Sequence, residues 1–276
     1  MKLYVSADFE GVCGVVDRNQ CFPGNADFDR VRRLWVEEIN AIVEGALSAD
    51  VSEVVVNEAH ASMNYMLPEL LHPKASFISG YVKIDNQMEG LDKSFCGAVI
   101  MGHARAGTAM GVLNHTYVMR DVVEIRLNDE PIGELGLNML WAAYLGTPVI
   151  LVIGDDKTAQ EAKTLVPAIE TAIVKKGLSQ FTAHNLPIEA ARTLIRNAAQ
   201  QAVKRIKEIV PPELSKSYKL EIDFSLSEMA HLCSFIPGVN RSNARTIQYI
   251  ANDYRDVQHV RIVCTNLALS VARAHF

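Results

Sequence analysis

The sequence predicts an α/β fold in which a mostly parallel sheet is flanked by helices, with a smaller C-terminal α+β region. Three observations support this prediction. Apolar runs of strand length alternate with helical segments in the first half. Those runs are rich in valine and isoleucine, as in strands buried on both faces. The second half opens instead with a long amphipathic segment.

Hydrophobic periodicity locates the elements of the first half. Strands are predicted at residues 2–5, 52–57, 76–79, 96–101 and 148–153, and a half-exposed strand at 117–127. Helices are predicted at 28–47, 66–71 and 135–144. Such alternation implies right-handed crossovers, and ligand sites in these sheets collect beyond the carboxyl ends of the strands.

The second half has a different pattern. Residues 187–209 predict an amphipathic helix that ends before Pro211 and Pro212. Strands are predicted at 218–224 and 246–250, and a closing helix from residue 253. We therefore expect an α/β domain that carries the functional site at 1–180 and a smaller α+β region at 181–276, with the boundary within 177–185.

Composition excludes several classes of function. The chain has 276 residues, of which 49% are hydrophobic and 21% charged, as in ordinary soluble globular proteins. Its net charge of −5 and the lack of a basic tract argue against a nucleic-acid partner. The uncharged segment 135–154 is interrupted by Asn138, Gly146 and Pro148, which argues against a membrane span.

The cysteines indicate a reducing compartment. There are five of them, an odd number, scattered along the chain without a Cys-x-x-Cys pair. We interpret them as reduced thiols in a cytoplasmic protein, not as a disulfide framework or a cysteine-type zinc site.

The segment Ser6-Ala7-Asp8-Phe9-Glu10-Gly11 directly follows the first predicted strand. In an extended backbone, Asp8 and Glu10 would project to the same side. Two carboxylates held this close repel each other unless a cation lies between them, and a divalent metal is the natural partner. The sequence leaves open a solvated acidic turn as the alternative.

Three histidines and a glutamate lie where such a site would form. His60 and His103 each follow a predicted strand, and His115 lies in a glycine-containing loop. Glu134 opens a predicted helix between Gly133 and Gly136, which are poor helix formers and indicate close approach of the backbone to a neighbour.

Each of these residues also has an ordinary explanation. The histidines could be loop or strand-capping residues. The negative charge of Glu134 in the first turn would interact favourably with the helix dipole in any protein. Glu58 is either a competing ligand or a residue that orients one. The remaining histidines lack comparable context and are interpreted as structural or surface residues: His72, His184, His231, His259 and His275.

A rival prediction uses Asp8-Phe9-Glu10 together with Gly154-Asp155-Asp156. Magnesium-dependent phosphatases of the haloacid dehalogenase type place acidic motifs of this kind after two strands. However, Glu10 is one methylene longer than the usual aspartate, and magnesium would leave the histidines without a role, because imidazole suits zinc-like metals.

Four blocks carry a resemblance to a known family: Ser6-x-Asp8-x-Glu10-Gly11, Val56-Asn57-Glu58-Ala59-His60, Gly102-His103-Ala104-Arg105-Ala106 and Gly133-Glu134-Leu135-Gly136-Leu137-Asn138. In this order they resemble the DppA-type D-aminopeptidases of peptidase family M55. The Gly154-Asp155-Asp156 segment is also similar to that family, which removes it as support for the phosphatase.

The resemblance implies a site with two Zn²⁺ ions per chain. Asp8 would bridge both ions, Glu10 and His103 would complete one, and His60 and Glu134 the other. His115 matches the proposed catalytic histidine of the family. A metal-bridged water would attack the scissile carbonyl, with His115 as acid/base, although attack by His115 itself stays open.

The resemblance also implies the substrates and the assembly. Short peptides would lose their N-terminal residue, with D-amino acid peptides such as D-Ala-D-Ala as leading substrates, and the chain would form a homodecamer whose active sites face an internal channel. Two alternatives remain: the magnesium-dependent phosphatase, and a non-catalytic peptide-binding assembly protein that keeps the metal cluster for structure.

Overall fold

The computed structural model describes the backbone of residues 1–275 and the side chains of residues 1–273. The strands, in chain order, are β1 (Lys2–Ala7), β2 (Glu53–Glu58), β3 (Ala75–Ile78), β4 (Gly97–Met101), β5 (Val122–Leu127), β6 (Glu130–Pro131), β7 (Val149–Asp155), β8 (Glu170–Ser179), β9 (Thr182–Asn185), β10 (Tyr218–Phe224), β11 (Asn240–Arg241) and β12 (Thr246–Ala251). The helices are α1 (Phe28–Leu47), α2 (Glu134–Tyr144), α3 (Asp156–Leu165), α4 (Ile188–Lys204), α5 (Ser227–Cys233) and α6 (Tyr254–His275). Short 3₁₀ turns occur at Arg18–Cys21, Pro68–Leu70, Asn86–Met88 and Ile206–Glu208.

A seven-stranded sheet with the order β3-β2-β1-β4-β7-β8-β9 carries the first half of the fold. The first six strands of this order pair in parallel, and β9 pairs antiparallel with β8. Every residue of β4 and β7 is buried, so both faces of the sheet are covered. The predicted α/β class with a mostly parallel sheet flanked by helices is confirmed.

Helix α1 has the bounds predicted from its periodicity. Its apolar side, which includes Val31, Trp35 and Ile39, is fully buried. Helix α4 packs against α1 so closely that a Cβ on Gly45 would lie 2.2 Å from the carbonyl oxygen of Arg196. Helix α4 also packs against β7 and β8 of the seven-stranded sheet.

A second sheet of five antiparallel strands has the order β11-β12-β10-β5-β6. Alternate residues of β10 are buried, and helices α5 and α6 pack against β10 and β12. The predicted strands at 218–224 and 246–250 and the closing helix are therefore present, with small shifts in their bounds.

The prediction of a strand over 117–127 was wrong for residues 117–121. The strand β5 covers only Val122–Leu127. Tyr117 has a positive φ of 59°, and its N–H donates to the Glu134 carboxylate instead of to a neighbouring strand. Residues 117–121 therefore form part of a loop.

The two sheets divide the chain differently from the predicted domains. The boundary expected within 177–185 falls in the β8–β9 hairpin of the seven-stranded sheet, whereas the second sheet takes β5 and β6 from the first half. The division at residues 180 and 181 stays a prediction about folding units, and it does not coincide with the division between sheets. In the described part of the chain, none of the helices is long and apolar enough to cross a membrane.

Candidate metal centre

Three adjacent strands bring the candidate residues to one edge of the sheet. Asp8 follows β1, His60 follows β2 by two residues and His103 follows β4 by two residues. Glu134 is the first residue of α2, and His115 comes from the loop between β4 and β5. Because β2, β1 and β4 are parallel neighbours, their carboxyl ends meet at this edge.

The chain turns sharply after Asp8 and does not continue as a strand. The backbone N–H of Phe9 donates to Asp8 Oδ1 at 2.9 Å, and that of Val12 donates to the Phe9 carbonyl oxygen at 3.0 Å. A Cβ on Gly11 would lie 2.6 Å from the backbone nitrogen of Gly102. Asp8 and Glu10 therefore face the same site because of a tight turn, not because of the extended backbone that the sequence suggested.

The cluster is compact and almost fully buried. His60 Nδ1 lies 2.9 Å from Asp8 Oδ1 and 3.0 Å from Glu10 Oε2. His103 Nε2 lies 3.3 Å from Glu134 Oε1 and 3.8 Å from Asp8 Oδ2. The imidazole of His115 stacks on that of His103, with the ring centroids 3.9 Å apart. Asp8, Glu10, His60, His103, His115 and Glu134 are each at most 8% exposed.

The closest side-chain contacts join these residues differently from the zinc sites that the family resemblance implied. His60 lies with Glu10 against one oxygen of Asp8, and His103 lies with Glu134 near the other. The expected pairs, Glu10 with His103 and His60 with Glu134, stay a prediction, and the donor atoms of Asp8, Glu10 and His103 do lie within 4.8 Å of one another. The central position of Asp8 is common to both arrangements.

Backbone carbonyls determine which ring nitrogen of each histidine faces the cluster. His60 Nε2–H donates to the Cys21 carbonyl at 3.0 Å, and His103 Nδ1–H donates to that of Ala104 at 3.0 Å. His115 Nδ1–H donates to the Leu113 carbonyl at 2.7 Å. In each neutral ring the other nitrogen then carries a lone pair, which is the arrangement found in metal-ligating histidines.

The pKa shifts reflect the charges of the cluster. Burial, together with repulsion from Glu10, raises the pKa of Asp8. Burial acts to lower the pKa of His60, but Glu10 and Asp8 raise it well above its usual value. The cluster therefore attracts a positive charge between its carboxylates.

Two buried atoms of the cluster, Glu10 Oε2 and His103 Nε2, make no well-oriented hydrogen bond in the described part of the chain, although each has an ion-pair neighbour at 3.0 or 3.3 Å. Three overlapping sets of donor atoms lie within 4.8 Å of one another: Glu10-Cys21-His60, His103-His115-Glu134 and Asp8-Glu10-His103. Carboxylates that meet imidazole lone pairs fit borderline divalent cations, which would satisfy both atoms.

Several residues that the sequence analysis did not single out support the cluster. Gln87 Nε2 donates to Glu134 Oε1 at 2.7 Å, and Asn138 Nδ2 in turn donates to Gln87 Oε1 at 2.7 Å. The buried Lys175 ammonium donates to the carbonyl oxygens of Glu10, Val12 and Val15 at 2.6, 2.9 and 2.7 Å. Asn138 belongs to a block that carried the family resemblance, whereas Gln87 and Lys175 have no local sequence signal.

Other candidates serve the surrounding loops instead. Glu58 Oε2 accepts from the backbone N–H groups of Tyr65 and Met66. Asp155 caps α3 through Oδ1, and its Oδ2 accepts from the Val112 N–H at 2.6 Å, which holds the loop that carries His115. Both oxygens of Asp155 thus serve the backbone, and neither Asp155 nor Asp156 belongs to a donor set with Asp8 or Glu10 in the described part of the chain, which gives the phosphatase no support.

The remaining histidines do not join the cluster within the described part of the chain. None of the three donor sets includes His72, His184, His231 or His259, in agreement with their interpretation as structural or surface residues. The side chain of His275 lies outside the described residues.

The cluster lies in the wall of a large groove, here called the central groove, with a volume of about 980 Å³. Asp8, Glu10, His60, His115 and Glu134 all line it. The central groove is large enough to bring a ligand of several residues against the cluster.

Comparisons with known proteins cover nearly the whole chain. The family model for the D-aminopeptidases of peptidase family M55 matches residues 1–262. The D-aminopeptidase of Bacillus subtilis (strain 168) is 37% identical over 274 residues, which cover 98% of each chain. Among solved structures, the Zn-dependent D-aminopeptidase DppA from Bacillus subtilis, described as a self-compartmentalizing protease, matches with a TM-score of 0.93 at 35% identity, again over 98% of each chain.

Proposed function

The chain belongs to the M55 family of D-aminopeptidases and is a zinc metallo-aminopeptidase, and we propose that it removes N-terminal residues from short D-amino acid peptides such as D-Ala-D-Ala. The family membership supports the reaction class. The preference for these particular peptides is our inference from that membership.

We assign the ligands of two Zn²⁺ ions from the cluster. Following the family resemblance, Glu10 and His103 would hold one ion together with Asp8, and His60 and Glu134 would hold the other. The donor set Asp8-Glu10-His103 supports the first of these sites. Bound zinc would polarise the scissile carbonyl and lower the pKa of the attacking water.

We assign proton transfer to His115. Its Nδ1–H is held by the Leu113 carbonyl, so Nε2 is the nitrogen that can exchange a proton. Burial lowers its pKa, which favours the neutral imidazole that can accept a proton. In this role Nε2 would take a proton from water and deliver it to the leaving amine.

The related solved structure is described as a self-compartmentalizing protease, and we propose that this chain also forms a homo-oligomer, a decamer with active sites that face an internal channel. Tyr81 at the rim of the central groove and the nearby Val82 and Ile84 are 49%, 75% and 72% exposed. An exposed apolar segment of this kind is suited to a subunit interface. The five free cysteines, four of them buried, support a cytoplasmic location.

The observation that carries this function is the convergence of imidazole nitrogens and carboxylate oxygens in one buried cluster. The test compares chelator-treated with zinc-reloaded protein on D- and L-dipeptides, on their N-acetylated forms and on a chromogenic phosphate ester with magnesium. We expect hydrolysis of free D-dipeptides that is lost on chelation and restored by zinc. Hydrolysis of the phosphate ester alone, or of no substrate, would contradict the proposal.

A further inference from the structure

The central groove carries charges of both signs. The carboxylates of Asp8, Glu10 and Glu134 lie in one part of its wall. Four arginines line other parts: Arg18, Arg120, Arg261 and Arg273. Because bound Zn²⁺ would neutralise the three carboxylates, the arginines are the groups that could receive the C-terminal carboxylate of a peptide.

Arg261 differs from the other three arginines because it is buried. Its side chain is 1% exposed, whereas Arg18, Arg120 and Arg273 lie on the surface. Its Nη2 donates to Gln258 Oε1 at 2.5 Å, and Gln258 is itself fixed by donating to the Leu137 carbonyl at 3.0 Å. The guanidinium is therefore held in one orientation before any ligand binds.

The donor capacity of Arg261 is mostly unused. Its Nε and Nη1 have no hydrogen-bond partner among the described residues. A buried cation with unpaired donors is costly unless an anion accepts from it. A guanidinium offers two parallel N–H groups, which match the two oxygens of a carboxylate.

Tyr117 connects Arg261 to the metal cluster. The guanidinium carbon lies 3.9 Å from the centroid of the Tyr117 ring, and the Tyr117 backbone N–H donates to Glu134 Oε2. The Tyr117 hydroxyl is also buried without a partner in the described part of the chain. Tyr117 therefore carries a second unused donor and contacts both Arg261 and the proposed zinc ligand Glu134.

We propose that Arg261 binds the C-terminal carboxylate of the substrate, with the Tyr117 hydroxyl as a second donor. The proposal rests on the proposed aminopeptidase function and adds a substrate class to it. The enzyme would select peptides short enough for the carboxylate to reach Arg261 while the N-terminal residue lies at the metal cluster. Peptides whose C-terminus is blocked would bind weakly.

The first experiment compares D-Ala-D-Ala with its C-terminal amide on the zinc-loaded wild-type enzyme. We expect kcat/KM to be at least about tenfold lower for the amide, mainly through a higher KM, because the amide cannot accept a charge-assisted pair. Equal kcat/KM values would overturn this proposal and leave the aminopeptidase function intact. Hydrolysis of neither compound would instead count against the function itself.

The second experiment locates the anchor. Arg261→Met should lower kcat/KM for the free acid to the level of the amide and leave the amide almost unchanged. Tyr117→Phe, which keeps the ring under the guanidinium, should reduce the preference in part. A full preference for the free acid in Arg261→Met would overturn the assignment.

Matched variants control for charge and for folding. Arg255→Met removes another arginine of α6, one that stacks on Tyr144 outside the central groove. This variant should change kcat/KM for neither the free acid nor the amide. Arg18→Met, Arg120→Met and Arg273→Met should each retain the preference. The melting temperature shows whether Arg261→Met folds. If it does not fold, retention of the preference for the free acid in these three variants supports the assignment of Arg261. Loss of the preference in any of the three overturns that assignment.

Discussion

His60, His103 and His115 each give one ring N–H to a backbone carbonyl, so the local backbone determines which nitrogen faces the cluster. The carbonyl of Cys21 comes from a 3₁₀ turn, whereas that of Ala104 comes from the residue next to His103. The sequence shows the residue types and their position after strands. It does not show this orientation, which arises only when distant segments pack together.

His115 is the residue whose role the structure constrains most sharply. Because its Nδ1–H is already donated, His115→Ala removes the one nitrogen available for proton transfer. We expect kcat to fall by roughly 10²- to 10⁴-fold while the zinc content stays unchanged. Turnover should be measured together with the metal content of the same sample.

His115 also belongs to a donor set with His103 and Glu134, so the same variant tests whether His115 is a zinc ligand. Loss of one zinc in His115→Ala would assign the residue as a ligand. Undiminished kcat would remove it from the mechanism.

At the scale of elements, helix α1 supports the turn that follows Asp8 and Glu10. Glu38 of α1 is buried, and its Oε1 accepts from the Cys13 backbone N–H at 3.1 Å. Its Oε2 has no partner in the described part of the chain. Burial raises the pKa of Glu38 to about 7.

This shift predicts how stability depends on pH. A carboxyl whose pKa is higher in the folded chain than in the unfolded chain binds its proton more tightly when folded. The free energy of unfolding therefore falls as the pH rises from the unfolded pKa near 4.5 through the folded pKa near 7. Glu38→Gln keeps the acceptor for Cys13 and removes the titration.

Urea unfolding of both proteins at pH 5 and pH 8 measures the effect. We expect the free energy of unfolding of Glu38→Gln, relative to that of wild type, to be higher at pH 8 than at pH 5 by on the order of 1 to 3 kcal/mol. Glu44→Gln, which removes a carboxylate of the same helix whose side chain is 43% exposed, controls for the loss of a charge. An identical difference from wild type at both pH values would show that Glu38 does not titrate in this way.

Parts of the fold could be predicted because their signal is local. Helix α1 has apolar residues at helical spacing over its entire length, and β7 opens with five consecutive apolar residues. The β8–β9 hairpin was missed because it carries polar and charged residues on the sheet edge, where burial is partial. The loop at Tyr117 was mistaken for a strand because its contact with Glu134 is non-local.

The same distinction applies to the candidate site. The residues proposed as zinc ligands follow strands or open a helix, so their position could be predicted from the order of elements. The roles of Gln87, Lys175 and Arg261 could not be predicted from the sequence, because each is polar, buried and surrounded by neighbours from other parts of the chain. Their roles depend on contacts with residues more than forty positions away, such as Glu134 for Gln87 and Glu10 for Lys175.

For the molecule as a whole, the central claim is that the packing of β1, β2 and β4 converts carboxylate repulsion into binding of a pair of cations. The zinc content of the purified, zinc-reloaded chain tests it most directly. We predict two zinc ions per chain in the wild type, one fewer in His60→Ala and two in His184→Ala, which alters an exposed histidine of β9. A wild type that binds no zinc, or a His60→Ala variant that keeps both ions, would contradict the claim.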